Sequence, residues 1–492
     1  MLRRGRVEML LSNMANVTHL QFFEINGKRA CGQLSARKQE QTAVAYHIGK
    51  RAVVIGAGVA GLSAAGVLAP YFQHVVILER DRLPPYIAAR PGAPQGRHPH
   101  GLLAGGLKAL EEIFPGYKSS LLEAGAVSVN VARDLRYERA DVGTLPHRDL
   151  GISLLCASRP LIEFVLRRQI DSLANVEIRS ECRVTDILST SSSGAVQGVR
   201  FVANSEASSS LQADLVIDAS GRGALTAWLF ENLGLEAPAV SEVGVDIHYS
   251  TAVVKLSEPT SKKWKVVLTH PDPPISALHG LLIPIEGDRW MATFCQRGRV
   301  ERINSWDMYL SAFKKLVTRT IHDALRDAKP VEDFLFYGFP ISSWTHFERM
   351  SRMPRGLLPI GDTFCRFNPI HGQGMSSAAL QARLLADVLH RSVSASDQIA
   401  ALQKGFLARV ASVLETPWAM STNSDLLFPE VRDTRPAYLE EGAKFEAALF
   451  RAAVVDPIVH RAAIEVGQLL QPRALLQAPH IKQRIEAANV RG

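Results

Sequence analysis

Residues 52 to 55 read Ala-Val-Val-Ile, and Val75 to Leu78 form a second short, uninterrupted apolar run. Runs of this length, rich in β-branched residues, predict strands buried on both faces. Between them Val59 to Leu68 is apolar and small-residue rich, which predicts a buried helix. A strand, tight turn, helix and second strand are therefore expected over residues 51 to 81. Further on, helical spacing is expected over Leu103 to Ile113. It recurs at Leu161, Ile162, Val165 and Leu166, with Ser158 as N-cap and Pro160 in the first turn. Residues 176 to 188 read as two strands, and 196 to 203 with 211 to 218 as a hairpin across a Ser-rich turn.

From about 242 the texture changes. Alternating runs at Val243 to Ser250, Lys265 to Leu268, Leu281 to Pro284 and Trp290 to Cys295 predict an antiparallel sheet, with one helix near Met308 to Ala328. A short strand then ends at Gly361-Asp362, and a long helix is expected from Ser376 to His390. Beyond about 396 the chain reads as helical, suited to packing or an oligomer contact. The expected class is α/β: residues 51–241 and 345–395 form a discontinuous Rossmann-like domain, 242–344 an inserted antiparallel β-sheet domain, and 396–492 a helical region.

Composition changes this picture little. Among 492 residues, 47% hydrophobic and 21% charged content is that of an ordinary globular chain. The net charge of +8 would hint at nucleic acid, but residues 1 to 50 hold eight Lys/Arg against three Glu, leaving only +3 for the rest. No nucleic-acid partner is expected, and residues 1–50 are expected to be a basic, poorly ordered extension. Five widely spaced cysteines without a CxxC pair point to reduced, buried thiols, a cytoplasmic location and no metal site. Ala52 to Gln73 carries no charge, yet glycines at 56, 58, 61 and 66 with Pro70 argue against a membrane span.

The first turn carries the clearest chemistry. Gly56, Gly58 and Gly61, with Val59 and Ala60 between, form GxGxxG directly after a strand. The first glycine permits the turn, the second lets a diphosphate approach the backbone, and the third lets helix and sheet pack closely. Glu79 ends the second strand, where a carboxylate accepts hydrogen bonds from ribose hydroxyls and disfavours a 2′-phosphate, so FAD or NAD is the expected ligand. Arg97, in a Pro-, Gly- and His-rich loop, suits a phosphate or a flavin edge, while His98 and His100 are expected to cap the next helix. Arg159 stands at a helix start. The long helix after Gly372 and Gly374 presents unpaired amides to negative charge.

Several segments taken together resemble the flavoprotein monooxygenases of the p-hydroxybenzoate hydroxylase type, and within them the bacterial flavin epoxidases of polyether biosynthesis. They are Gly56 to Gly61 with Glu79, Pro94 to His100, Ser158-Arg159, Asp214 to Gly223, Ile283 to Glu286 with Arg289-Trp290, Gly361-Asp362, Phe367 to Pro369, and Gly372 to Met375. The resemblance spans roughly residues 50 to 430. It implies FAD as cofactor, with NAD(P)H supplying electrons directly or through a separate flavin reductase. It also implies that Glu79 and the neighbouring Arg80 lie at the adenosine ribose, the Val184 backbone at the adenine, and Arg97 and Arg159 on the diphosphate or isoalloxazine side. Asp362 would meet the ribitol or diphosphate, and Gly372, Gly374 and Met375 the flavin pyrimidine edge.

The implied reaction transfers one oxygen atom of O2, through a flavin C4a-hydroperoxide, to an apolar substrate as an epoxidation or hydroxylation. Such chemistry does not require a general acid or base; His371 is the candidate catalytic residue, and Glu286 is expected to be merely solvated. Two other readings stay open: an FAD-dependent reductase of isoprenoid double bonds, resembling geranylgeranyl reductase, and a non-catalytic flavoprotein. A halogenase is disfavoured because the six tryptophans are isolated and no Trp-x-Trp-x-Ile segment occurs.

Overall fold

The strand Gly49–Ile55 is buried over its last four residues because it lies in the middle of a parallel sheet. In this computed structural model, residues 47–490 are described except 191–193, 205–206, 257–262 and 299–301. The basic segment 1–50 lies almost wholly outside the described residues. Gly49–Ile55 pairs in parallel with Phe72–Leu78 on one side and Leu215–Asp218 on the other, and Val176–Arg179 and Leu357–Pro359 complete the five strands. Val59–Leu68 has eight of ten residues buried, as an all-round apolar helix must, and packs on this sheet against Gly374–Ser392 and Arg159–Asp171.

Leu215–Asp218 corrects the expected hairpin. The strand Val196–Ala203 takes Ser209–Gln212 as its antiparallel partner in a separate three-stranded sheet, and the chain then crosses into the parallel sheet. All four residues of Leu215–Asp218 are buried, the pattern of a central parallel strand with both faces covered.

The antiparallel sheet is built around the 16-residue strand Val240–Lys255, which pairs with Arg289–Arg297 and Leu335–Thr345. His279–Ile285 and Val266–Thr269 extend it, and Leu135–Arg139 joins in parallel at Val266–Thr269. The single helix expected near 308–328 is two, Trp306–Phe313 and Thr320–Leu325. The break has a local cause. The buried Glu138 carboxylate receives hydroxyl donors from Thr318, from Thr320 at 2.6 Å and from Thr269 at 2.8 Å, with Arg136 Nε at 2.6 Å. Turning Thr318 and Thr320 toward Glu138 satisfies a buried charge that a continuous helix would leave short of donors. Beyond residue 396 come the helices Gln398–Asp425, Leu439–Val455, Pro457–Gly467 and Pro479–Val490. Among the described residues no helix is long and apolar enough to cross a membrane.

Candidate functional site

The glycine turn at the end of Gly49–Ile55 is as tight as its sequence demands. Gly56 has φ +100°, a conformation costly for any side chain, and a Cβ on Gly61 would lie 1.9 Å from the Gly56 carbonyl oxygen. The helix that follows starts at Val59 with Gly58 as N-cap; no side chain caps it and its first turn holds no acidic residue. Its first amides are therefore free to meet an anion.

Glu79, 4% exposed, accepts from the Ala57 amide at 2.7 Å and the Asp81 amide at 3.0 Å, so its carboxylate is fixed beside the turn. Sequence reasoning missed the cation that completes this corner. Arg90 is buried and reaches Glu79 at 3.3 Å, Asp81 at 3.0 Å and Glu163 at 2.9 Å. Burial would lower its guanidinium's pKa, but the charges of Glu163 and Glu79 outweigh that and raise it. Arg159 donates to Glu163 at 2.8 Å. Desolvation pushes the Glu163 carboxyl up, yet Arg159 and Arg90 together hold it at about 2. A Cβ on Gly58 would come within 3.6 Å of Arg90 Nη2 and 3.8 Å of Arg159 Nη2, so two guanidiniums flank the uncapped helix start.

The helix Arg159–Asp171 is capped as expected, Ser158 Oγ accepting from the Leu161 amide at 3.3 Å. Glu286 is not solvated. It is 8% exposed and accepts from the Ser158 amide at 2.9 Å and the Ser158 hydroxyl at 2.5 Å, clamping the start of the Arg159 helix to the antiparallel sheet. The turn Pro94–Arg97 packs on Arg159, with a Gly96 Cβ position 3.3 Å from Arg159 Cδ, while Arg97 itself is exposed. His98 and His100 do not cap the following helix. The chain is extended there, and His98 Nδ1 lies 2.8 Å from Thr251 Oγ1 in the antiparallel sheet, while His100 Nδ1 lies 2.7 Å from the His98 carbonyl.

The two ends of the sequence pattern meet at Asp362. A Cβ on Gly361 would lie 2.6 Å from Ala60 Cβ, a Cβ on Gly221 3.9 Å from Asp362 Cβ, and a Cβ on Gly374 4.0 Å from Asp362 Oδ1. The Asp362 residue is exposed. Its surroundings raise the carboxyl's pKa against the charges of Arg159 and Arg366. The long helix begins at Gly374, two residues earlier than expected. Gln373 is its N-cap and no side chain caps it. Met375 is buried in its first turn. Val184 lies in the strand Cys182–Ser189, whose first amide donates to the Glu79 carbonyl at 2.8 Å. Arg80 is exposed, and no described hydrogen bond or ion pair ties it to the cluster.

A second network invisible in the sequence holds the segment before Gly372. Tyr249 Oη donates to Asn368 Oδ1 at 2.9 Å, and Asn368 Nδ2 donates to both carboxylate oxygens of Asp425, which also pairs with Arg297. Asn368 and Asp425 are wholly buried. His371 follows on the turn Pro369–His371; its Nε2 lies 3.2 Å from Ser424 Oγ, and burial lowers its pKa.

Two uncapped helix starts, a fixed carboxylate and two guanidiniums are thus brought together around the glycine turn and Gly361-Asp362. Residues 50–401 match the family described as FAD binding domain. The chain belongs to that family. This FAD-binding-domain protein is 31% identical over 463 residues to Protein Rv3254 of Mycobacterium tuberculosis, covering 89% of this chain and 94% of that one. In fold it is similar to p-nitrophenol 4-monooxygenase PnpA from Pseudomonas putida DLL-E4 (TM-score 0.63, 17% identity, 86% and 99% of the two chains). It is also similar to the flavin-dependent brominase Bmp2 (TM-score 0.63, 14% identity, 90% and 99%). The residues present fit FAD, the ligand the family's description names. The free amides after Gly58 and Gly374 suit a diphosphate and an anionic ring edge, and the Glu79 carboxylate suits a ribose.

Proposed function

We propose that this protein is an FAD-dependent monooxygenase that inserts one oxygen atom from O2 into an apolar organic substrate, by epoxidation or hydroxylation. The observation that carries this reading is that both uncapped helix starts come together at Gly361-Asp362, where a Cβ on Gly361 would lie 2.6 Å from Ala60 Cβ and a Cβ on Gly374 4.0 Å from Asp362 Oδ1. Rings of His98, Tyr249 and Tyr337, 5.6 to 6.1 Å apart, link the Arg97 loop to that sheet.

In this reading residues 51–241 and 345–395 hold the cofactor, 242–344 face the substrate, and 396–492 back the site. Glu79 accepts from the ribose, the Val184 backbone meets the adenine, and the amides after Gly58 with Arg159 and Arg97 neutralise the diphosphate. Asp362 binds the ribitol or diphosphate. The amides at Gly372 to Met375 stabilise negative charge on the ring edge. Bound FAD supplies the redox chemistry, taking electrons from NAD(P)H, directly or through a separate reductase, and activating O2. The protein's own work is to orient substrate and keep water away; the buried strands Arg289–Arg297 and His279–Ile285 give it an apolar wall. His371, beside Gly372 and 3.2 Å from Ser424 Oγ, is the candidate catalytic residue, although oxygen transfer itself does not require a general acid or base.

The test is 18O2 labelling of the reduced holoprotein with an isoprenoid alkene. One 18O atom in the product supports the reading; a saturated product without oxygen uptake moves the assignment to a double-bond reductase.

A further inference from the structure

Glu286 joins two parts of the chain that the sequence keeps 128 residues apart. It stands at the tip of the hairpin formed by His279–Ile285 and Arg289–Arg297, in a tight turn where Gly287 and Asp288 take φ +74° and +54°. Consecutive left-handed residues close a hairpin abruptly, so the residues flanking them have little freedom. Arg289 holds the tip further, its Nε donating to the Glu286 carbonyl at 3.2 Å and its Nη2 to Glu286 Oε1 at 3.4 Å.

From that tip the carboxylate crosses to Ser158. Oε2 accepts from the Ser158 amide at 2.9 Å and Oε1 from its hydroxyl at 2.5 Å. Ser158 is the N-cap of Arg159–Asp171, and Arg159 is the first residue of that helix. Arg159 is therefore located from three sides. Glu286 fixes the backbone just before it, the Gly96 turn packs on its stem with a Cβ position 3.3 Å from Cδ, and Glu163 accepts from its Nε at 2.8 Å. The result places Arg159 Nη2 3.8 Å from the Cβ position of Gly58, at the uncapped start of the Val59–Leu68 helix.

A carboxylate is a costly residue to bury at such a junction. Glu286 is 8% exposed, and desolvation of its charge offsets much of what one amide, one hydroxyl and a more distant guanidinium contribute. An apolar side chain of the same size would pack there without that cost, but would fix no direction. Hydrogen bonds to a charged acceptor are short and directional, so this residue defines where the helix start sits.

We propose that Glu286 is a positioning residue for the cofactor: by holding Ser158 it sets Arg159 against the FAD diphosphate beside Gly58, and so ties the antiparallel sheet to the grip on FAD. This deepens the proposed function and rests on its assignment of Arg159 to the diphosphate. It does not depend on which reaction the bound flavin performs.

The experiment titrates the full chain with FAD, following flavin fluorescence, in wild type, R159A, E286M, E286Q and the double variant E286M/R159A, with the melting temperature of each measured alongside. E286M keeps the packing and accepts no hydrogen bond; E286A repeats the series if E286M folds poorly. R159A and E286M should each bind FAD about tenfold more weakly. E286Q, whose amide oxygen still accepts from the Ser158 amide, should stay within about threefold of wild type. The double variant should lie within about twofold of R159A, because Glu286 acts through a side chain already removed. A purely structural clamp would instead give additive losses, roughly a hundredfold in the double variant, and that result would overturn the proposal. Wild-type affinity in E286M, or an E286Q as weak as E286M, would overturn it as well. Wild-type affinity in R159A removes the diphosphate assignment and the proposal together, whereas a weakened R159A with additive losses sinks the proposal alone.

Discussion

Asn368 donates its side-chain amide to both carboxylate oxygens of Asp425, at 3.0 and 3.1 Å, across 57 residues of sequence. The same carboxylate neutralises Arg297, whose side chain is 4% exposed. One buried anion therefore fixes both the segment leading to Gly372 and a guanidinium under the sheet. Asp425→Asn leaves Arg297 buried and unpaired, and should cost about 3–5 kcal/mol in denaturant unfolding. Weakened FAD affinity should accompany it, because the turn before the long helix loses its anchor. Replacing Arg297 and Asp425 together with apolar residues should be milder than the single change. A double variant as unstable as D425N would show that the anchor, and not the unpaired charge, sets the cost.

Glu79 accepts from the Ala57 amide at 2.7 Å, and the proposed function makes it the acceptor for the ribose of FAD. Glu79→Ala should weaken FAD binding by roughly 1–3 kcal/mol, about 5- to 150-fold, measured by flavin fluorescence titration. Arg90→Met should do more, since it leaves the Glu79 and Asp81 carboxylates without their cation and Glu163 with Arg159 alone. FAD affinity within twofold of wild type in E79A would remove Glu79 from the site.

The contrast between these two residues shows what the sequence can reveal. The place of Glu79 beside the glycine turn was legible because it follows a strand at a fixed distance from that turn, and the whole unit is local. Arg90 lies in a Pro- and Gly-rich connection, and its partner Glu163 is 73 residues away on another helix. No periodicity marks such a pairing. The Asn368–Asp425–Arg297 network was hidden for the same reason. Leu215–Asp218 was read as a hairpin partner because a short apolar run carries no label saying which sheet it joins. Glu286 looked solvated beside its Gly-Asp turn, whereas the approach of Ser158, 128 residues earlier, buries it.

Glycine substitutions separate close packing from mere flexibility. Gly61→Ala places a methyl 1.9 Å from the Gly56 carbonyl, which the turn can relieve only by opening, so both melting temperature and FAD affinity should fall, stability by about 1–3 kcal/mol or more. Gly442 lies inside the helix Leu439–Val455 with nothing within 4 Å of its Cβ position. Gly442→Ala should stabilise by about 0.4–1 kcal/mol through the unfolded chain, leaving FAD affinity unchanged. Equal melting-temperature losses in the two variants would contradict the packing argument.

Acid should unfold the protein in two stages. His98 and His279 are pushed down to about 4 and about 3, chiefly by burial, so between those values and an ordinary histidine near 6.5 the unfolded chain binds more protons than the folded one. Stability therefore rises with pH in that window, and is lost as pH falls below about 6.5. Glu163 is held at about 2 by Arg159 and Arg90 against its own desolvation. Its contribution is fully present above the ordinary glutamate value near 4.3 and disappears as pH falls from there toward 2. Denaturant unfolding between pH 8 and 3 should thus show a first decline setting in near pH 6.5 and a steeper one below about 4.5. His98→Asn should make the first shallower and leave the second, while Glu163→Gln should make only the second shallower. A stability profile level from pH 7 to 5 would mean that these imidazoles are free to protonate in the folded protein, and that His98 and His279 are not held neutral.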